Sequence, residues 1–144
     1  MASYRERLRA GVLSGFIAGV VTGLILCGMW MLPALALHAT RIDLFTGFIL
    51  IVVVGGVLGL VYGLVVGRAG EQDWSALLVG LVLGAAAWLA MPVLLIPLTL
   101  GLSPPYMNPQ LHLSSLVAFL VQGLTISLGY RYFIHRADKK ESRL

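Results

Sequence analysis

Four side chains with metal-binding donor atoms lie in or beside apolar segments: Cys27, Met31, His38 and His112. Thiolate, thioether and imidazole are the ligands that Cu(I) prefers, and two histidines facing each other across helices can bind a b-type haem. No repeated Met-x-x-x-Met or Cys-x-x-Cys spacing concentrates these donors, and methionines in apolar segments usually fill space. Copper or haem binding is therefore the lesser alternative. We expect no resident cofactor and no metal site.

A second set of side chains falls within the apolar segments: Tyr62, Trp88, Gln122 and Thr125. They could line a path for a neutral solute, or a site for a small hydrophobic ligand. They could instead make interhelical hydrogen bonds, which contribute about 0.6–2 kcal/mol each in membranes. A proton-coupled carrier needs an ionisable group inside the membrane. These segments have no Asp, Glu or Lys, and their single Arg, Arg131, lies at the end of the fourth segment. Passive conduction or ligand binding therefore remains an alternative to a structural role.

Motifs for enzyme catalysis are missing from the sequence. It contains no Ser/His/Asp set, no His-Glu-x-x-His and no phosphate-binding glycine loop, and little chain lies outside the apolar segments. We predict that the protein is not an enzyme.

Four apolar segments must position these side chains. The chain has 144 residues, of which 59% are apolar and 11% charged, and a mean hydropathy of +0.95, which favours a membrane protein. The predicted helices cover residues 10–32, 44–66, 75–98 and 111–133, each about the twenty residues that a bilayer requires. The first is too long for a signal-peptide core. We predict one all-α domain, a polytopic membrane protein, with a kink at Pro92 and Pro97.

Glycine recurs at every fourth position in the first two predicted helices. On a helix this spacing forms a stripe without side chains, which lets a second backbone approach closely in lipid. The glycines expected at helix contacts are Gly11, Gly15, Gly19, Gly23, Gly55, Gly59, Gly63, Gly67, Gly80, Gly84 and Gly123. We expect a glycine-packed four-helix bundle, closed on its cytoplasmic half and more open, with a cavity, on its outer half. If the glycines only relieve crowding against lipid, this asymmetry is not expected.

The two halves of the chain show a weak internal similarity. Ser14–Gly19 resembles Val79–Gly84, and Pro33 corresponds to Pro97. A duplicated helical hairpin would place a pseudo-two-fold axis along the membrane normal. Glycine-rich spans also resemble one another without duplication, so both interpretations stay open.

The basic residues predict the orientation. Nine of the ten Lys and Arg residues lie in the N-terminal segment, the second loop and the C-terminal segment, and only Arg41 lies in the other loops. The positive-inside rule therefore places both termini in the cytoplasm. The net charge of +4 is better explained by lipid headgroups than by nucleic acid. The expected partners are the bilayer and a second copy or a larger membrane complex.

Several glycine-rich and aromatic runs carry a resemblance to a known group. They are Gly-Leu-Val-Tyr62-Gly-Leu-Val-Val, Gly80-xxx-Gly84-xxx-Trp88-xx-Met91-Pro92 and Gly129-Tyr130-Arg131-Tyr132. They resemble small four-helix bacterial inner-membrane proteins of the YagU-like kind, whose function is unknown. Such families often carry a histidine in the second and fourth helices, whereas Phe48 and Leu116 stand in comparable regions here. The resemblance implies a bacterial inner membrane and supplies no catalytic residue.

These features favour a structural or accessory membrane subunit, or a self-associating bundle. The alternative is a passive channel, transporter or binder of a small neutral or hydrophobic ligand in an outward-facing cavity.

Overall fold

The computed structural model describes residues 4–29, 44–69, 73–91 and 109–141. These residues form four helices: α1 (Tyr4–Gly28), α2 (Leu44–Ala69), α3 (Asp73–Trp88) and α4 (Pro109–Glu141). Four helical stretches are long and apolar enough to cross a membrane, namely Tyr4–Gly28, Leu44–Val66, Trp74–Met91 and Leu113–Arg136. The predicted all-α class, with four such helices, is confirmed.

The outermost helices extend beyond their apolar spans. α1 begins at Tyr4 rather than at residue 10, and α4 continues to Glu141 rather than ending at residue 133. Hydropathy indicates which residues lie in the hydrocarbon core of the membrane. A helix can continue beyond that core, because Arg, Glu, Lys and Ala favour a helix in water as well. Near the end of the α4 span, the Arg136 guanidinium lies 6.0 Å from the centre of the Tyr132 ring. This cation–π contact suits a boundary between apolar and aqueous surroundings.

The end of α3 shows how the chain approaches a proline. The regular helix stops at Trp88, and residues 89–91 form a wider π-type turn immediately before Pro92. Proline has no N–H to donate, and wider turns are a common adjustment of the helical hydrogen bonding beside it. Pro92 and Pro97 lie outside the described residues, so the kink there stays a prediction.

The helices pack as a ring with one open side. α1 packs extensively against both α2 and α4, and α4 packs against α3, whereas α2 and α3 touch each other far less. Along α1, Gly11 faces Gly63 of α2 and Gly23 faces Phe48, so these two helices are antiparallel. Between them the helices form three close contacts, α1/α2, α1/α4 and α3/α4, and one loose flank, α2/α3.

Candidate functional site

The backbones of α1 and α2 meet without intervening side chains. A Cβ atom added to Gly15 would lie 2.9 Å from the Gly59 Cα, and one added to Gly19 would lie 2.8 Å from the Val52 Cα. In the other direction, a Cβ on Gly55 would lie 2.7 Å from the Gly19 Cα. Real Cβ atoms essentially never approach backbone this closely. No residue other than glycine therefore fits these positions without moving a helix.

Toward its ends the same contact changes, because Gly63 has more room and Gly23 meets a side chain instead of backbone. A Cβ on Gly63 would lie 3.0 Å from the Arg7 carbonyl oxygen, and one on Gly11 would lie 3.2 Å from the Gly63 Cα, with the Gly59 carbonyl oxygen nearer still. At the far end, a Cβ on Gly23 would meet the Phe48 ring rather than backbone, at 2.6 Å. Gly67 is in α2 at a position whose surroundings are not described.

The α3/α4 contact uses the remaining glycines of the predicted set. A Cβ on Gly80 would lie 2.6 Å from the Gly123 carbonyl oxygen and 3.0 Å from the Ser127 Cβ. A Cβ on Gly84 would lie 3.4 Å from the Gly123 Cα and would also contact the Phe119 carbonyl oxygen. Main chain thus meets main chain in both helical hairpins.

A second face of α1, which the sequence predictions do not include, meets α4. It contains Ser14, and Ala10, Ala18 and Thr22 continue the same stripe at four-residue spacing; all four are at most 4% exposed. A Cβ on Gly129 of α4 would lie 2.9 Å from the Ser14 Cβ. A signal for this face exists, because each of its members directly precedes one of the α1 glycines. α1 therefore carries two adjacent stripes of small residues, one for α2 and one for α4.

Tyr62 joins three helices. Its side chain is fully buried, and its hydroxyl donates a hydrogen bond of 2.8 Å to the Ala76 carbonyl oxygen of α3. Its ring meets Tyr130 of α4 edge to face, with 5.4 Å between the centroids. Tyr62 is the polar bridge across the loose α2/α3 flank.

The other residues proposed to line a ligand path lie at different helix contacts. The Trp88 indole N–H donates to the Ser115 hydroxyl at 2.9 Å, which ties α3 to α4. The Thr125 hydroxyl donates to the Val121 carbonyl oxygen of its own helix at 2.7 Å. Gln122 is 1% exposed, in α4. Tyr62 lines the groove between α2 and α3 that is described below; a common ligand path for the four side chains stays a prediction.

Of the four side chains proposed to bind copper or haem, the structure describes only Cys27. Cys27 is half-buried near the end of α1. Met31 and His38 lie outside the described residues, and the side chain of His112 is not described. Among the residues that are described, no group of three or more His, Cys, Asp or Glu side chains could hold a metal ion.

An apolar groove of about 400 Å³ runs along the α2/α3 flank. Its walls include Tyr62, Val65, Leu78, Val82 and Ala86. It lies beside the last part of α2 and the middle and last part of α3, and it opens sideways because Val65, Leu78 and Val82 are exposed. The cavity expected on the outer half falls largely on residues outside the described ranges.

Comparison with protein-family models, with curated proteins and with solved structures finds no match to this chain.

Proposed function

We propose that this protein is a structural or accessory subunit of a bacterial inner membrane, with both termini in the cytoplasm, and that it works through contacts inside the bilayer. The observation that carries the proposal is the close approach of main chains at the α1/α2 and α3/α4 contacts. In lipid such contacts gain van der Waals energy and make a rigid body. The buried polar side chains of the described residues are all uncharged, as suits packing rather than ion or proton transfer.

Glycine packing and hairpin duplication belong to the same proposal. Gly15 and Gly59 in the first hairpin, and Gly80 and Gly123 in the second, place main chain against main chain in the same manner. This shared packing supports the interpretation that the second hairpin is a copy of the first. The basic residues near both termini support the cytoplasmic orientation, and the YagU-like resemblance is in keeping with an inner-membrane location.

Native mass spectrometry of the protein, extracted in a gentle detergent, tests this function. We expect the protein to leave the membrane in a complex of fixed stoichiometry, with a second copy or with another membrane protein. Dilution and a second detergent control for association caused by crowding in one micelle. A monomer without any stoichiometric protein partner in both detergents would overturn the proposal.

The α2/α3 groove favours a second candidate function, the binding of a lipid acyl chain. The groove is walled by apolar side chains and opens sideways, at a depth where the surrounding medium is hydrocarbon. An unfilled groove forfeits dispersion contacts, and water gains no hydrogen bonds from such walls. The wall from Leu78 to Ala86 extends about 12 Å along α3 at ~1.5 Å per residue.

Bound phospholipid is the measurement for this second function. Ala86→Phe and Val79→Phe place rings in the groove, and we expect both variants to lose a phospholipid that the wild-type protein retains in native mass spectra. Val57→Phe is the matched control, because Val57 is 58% exposed on α2 and is not among the groove residues. Equal lipid retention in all variants would refute acyl-chain binding. Loss of a protein partner instead of a lipid would show that a transmembrane helix occupies the groove.

A further inference from the structure

Two buried polar side chains stand out, one on α1 and one on α4. Thr22 is 0% exposed and Gln122 is 1% exposed. The Thr22 hydroxyl and both amide atoms of Gln122 are fully enclosed, and none of them has a hydrogen-bond partner among the described residues. Buried polar groups in native proteins nearly always have a partner, so each exception requires an explanation.

Other buried hydroxyls of the bundle show the usual solution. Ser14 donates to the Gly11 carbonyl oxygen at 2.8 Å, and Ser127 donates to the Leu124 carbonyl oxygen at 2.8 Å. Thr125 likewise donates back to its own helix. A threonine hydroxyl in a helix can donate to a carbonyl oxygen of the preceding turn, yet the Thr22 hydroxyl does not make this bond. Its hydroxyl is therefore available for a partner that does not belong to its own main chain.

The register of the two helices brings these orphan groups to one level. Ser14 of α1 lies against Gly129 of α4, and the chains run in opposite directions. Eight residues further along α1 is Thr22, and seven residues back along α4 is Gln122. These steps correspond to about 12 Å and about 10.5 Å at ~1.5 Å rise per residue. Both side chains therefore lie close to the same depth of the α1/α4 contact, near the middle of the apolar spans.

We propose that Thr22 and Gln122 form a binding site for one small uncharged hydrogen-bonding molecule, a water, enclosed between α1 and α4. The hydroxyl and the amide together offer donors and acceptors, and a water can pair with two to four such groups. A metal cation is a poor occupant, because it would need more oxygen ligands and a compensating charge. Small residues flank both side chains in the sequence, with Ala18 and Gly23 near Thr22 and Gly123 beside Gln122. The site is independent of the accessory function proposed above.

Side-chain NMR of Gln122 in the full-length protein tests this site. The amide ¹⁵N–¹H signals of Gln122, in micelles or nanodiscs, are expected to show cross-relaxation with a long-lived water. Thr22→Val removes one water ligand, and we expect the water signal at Gln122 to be lost. Thr22→Ser keeps the hydroxyl and is expected to keep the signal. Thr125→Val is the matched control, because the Thr125 hydroxyl is already bonded to its own helix, and it is expected to leave the signal unchanged.

The thermal stability of three variants provides an independent measurement. If a water bridges the pair, Thr22→Val and Gln122→Leu each lower the melting temperature, and the double variant loses less than the two losses together. If all three variants melt at a higher temperature than the wild type, the Thr22 hydroxyl and the Gln122 amide do not bind a stabilising water, and the proposal fails. Non-additive losses without any water signal at Gln122 would show a direct Thr22–Gln122 hydrogen bond, which also overturns it.

Discussion

Gly15→Ala is the substitution that most directly tests the contact between α1 and α2. The added Cβ would lie 2.9 Å from the Gly59 Cα, whereas ordinary contacts lie at 3.4–4 Å, so the helices must separate by at least about 0.5 Å. A gap of ~0.5–1 Å forfeits about a quarter to a half of each atom pair's attraction along the stripe. Overpacking of this kind costs ~1–3 kcal/mol, and alanine returns ~0.8–1 kcal/mol of helix propensity. We expect a net loss of about 0–2 kcal/mol in the free energy of unfolding.

Reversible unfolding in mixed micelles, followed by circular dichroism as the mole fraction of SDS rises, measures this loss. Gly28→Ala is the matched control on the same helix, because a Cβ there has nothing within 4 Å, and we expect it to leave stability unchanged or slightly raised. Gly23→Ala should fall between them, because its added Cβ meets the Phe48 ring, which can rotate away. If Gly15→Ala is as stable as Gly28→Ala, the close approach of the two backbones is not what holds these helices together.

The remaining predictions concern two interhelical hydrogen bonds and the orientation. Tyr62→Phe keeps the ring and deletes the bond to the Ala76 carbonyl oxygen, and should lower the free energy of unfolding by about 0.6 kcal/mol; no change would show that the bridge across the α2/α3 flank contributes nothing. Trp88→Phe and Ser115→Ala remove the two partners of one bond, so a double-mutant cycle should show a coupling of about 0.6 kcal/mol, and strict additivity would contradict it. A fluorescent protein fused after Leu144 should fluoresce in the cytoplasm, whereas activity of alkaline phosphatase fused there would reverse the orientation.

The sequence was sufficient to predict the helices but not where they end. Four helices followed from apolar length, because a bilayer requires about twenty such residues. Tyr4 and Glu141 could not be predicted as helix ends in the same way, since main-chain hydrogen bonding continues into water wherever the residues favour a helix. The wider turn at residues 89–91 was predictable only as some irregularity before Pro92.

The sequence predicts which polar residues lie at membrane depth, but it does not predict which of them lie close together in the bundle. Gln122 stood out in the sequence as a polar residue at membrane depth. Its lack of a partner depends on the register between α1 and α4, which the periodicity of either helix alone does not determine. The stripe containing Ser14 and Thr22 was visible in the sequence, but serine and threonine fit both a helix contact and a lipid-facing surface, so spacing alone could not assign it. Because both residues are buried in the bundle, the structure assigns this stripe to a helix contact.

The distribution of small residues explains why one flank of the bundle stays open. α1 carries two small-residue stripes, and α4 meets α3 through Gly123 and Ser127 while it meets α1 through Gly129. α2 and α3 each carry only one such face, and both faces are used against α1 and α4. On the flank where α2 and α3 meet, the groove is walled by larger residues such as Val65 and Val79, which hold the helix axes apart. The groove therefore follows from side-chain size, and a lipid or partner that enters it from the side does so at a flank where no described glycine joins α2 to α3.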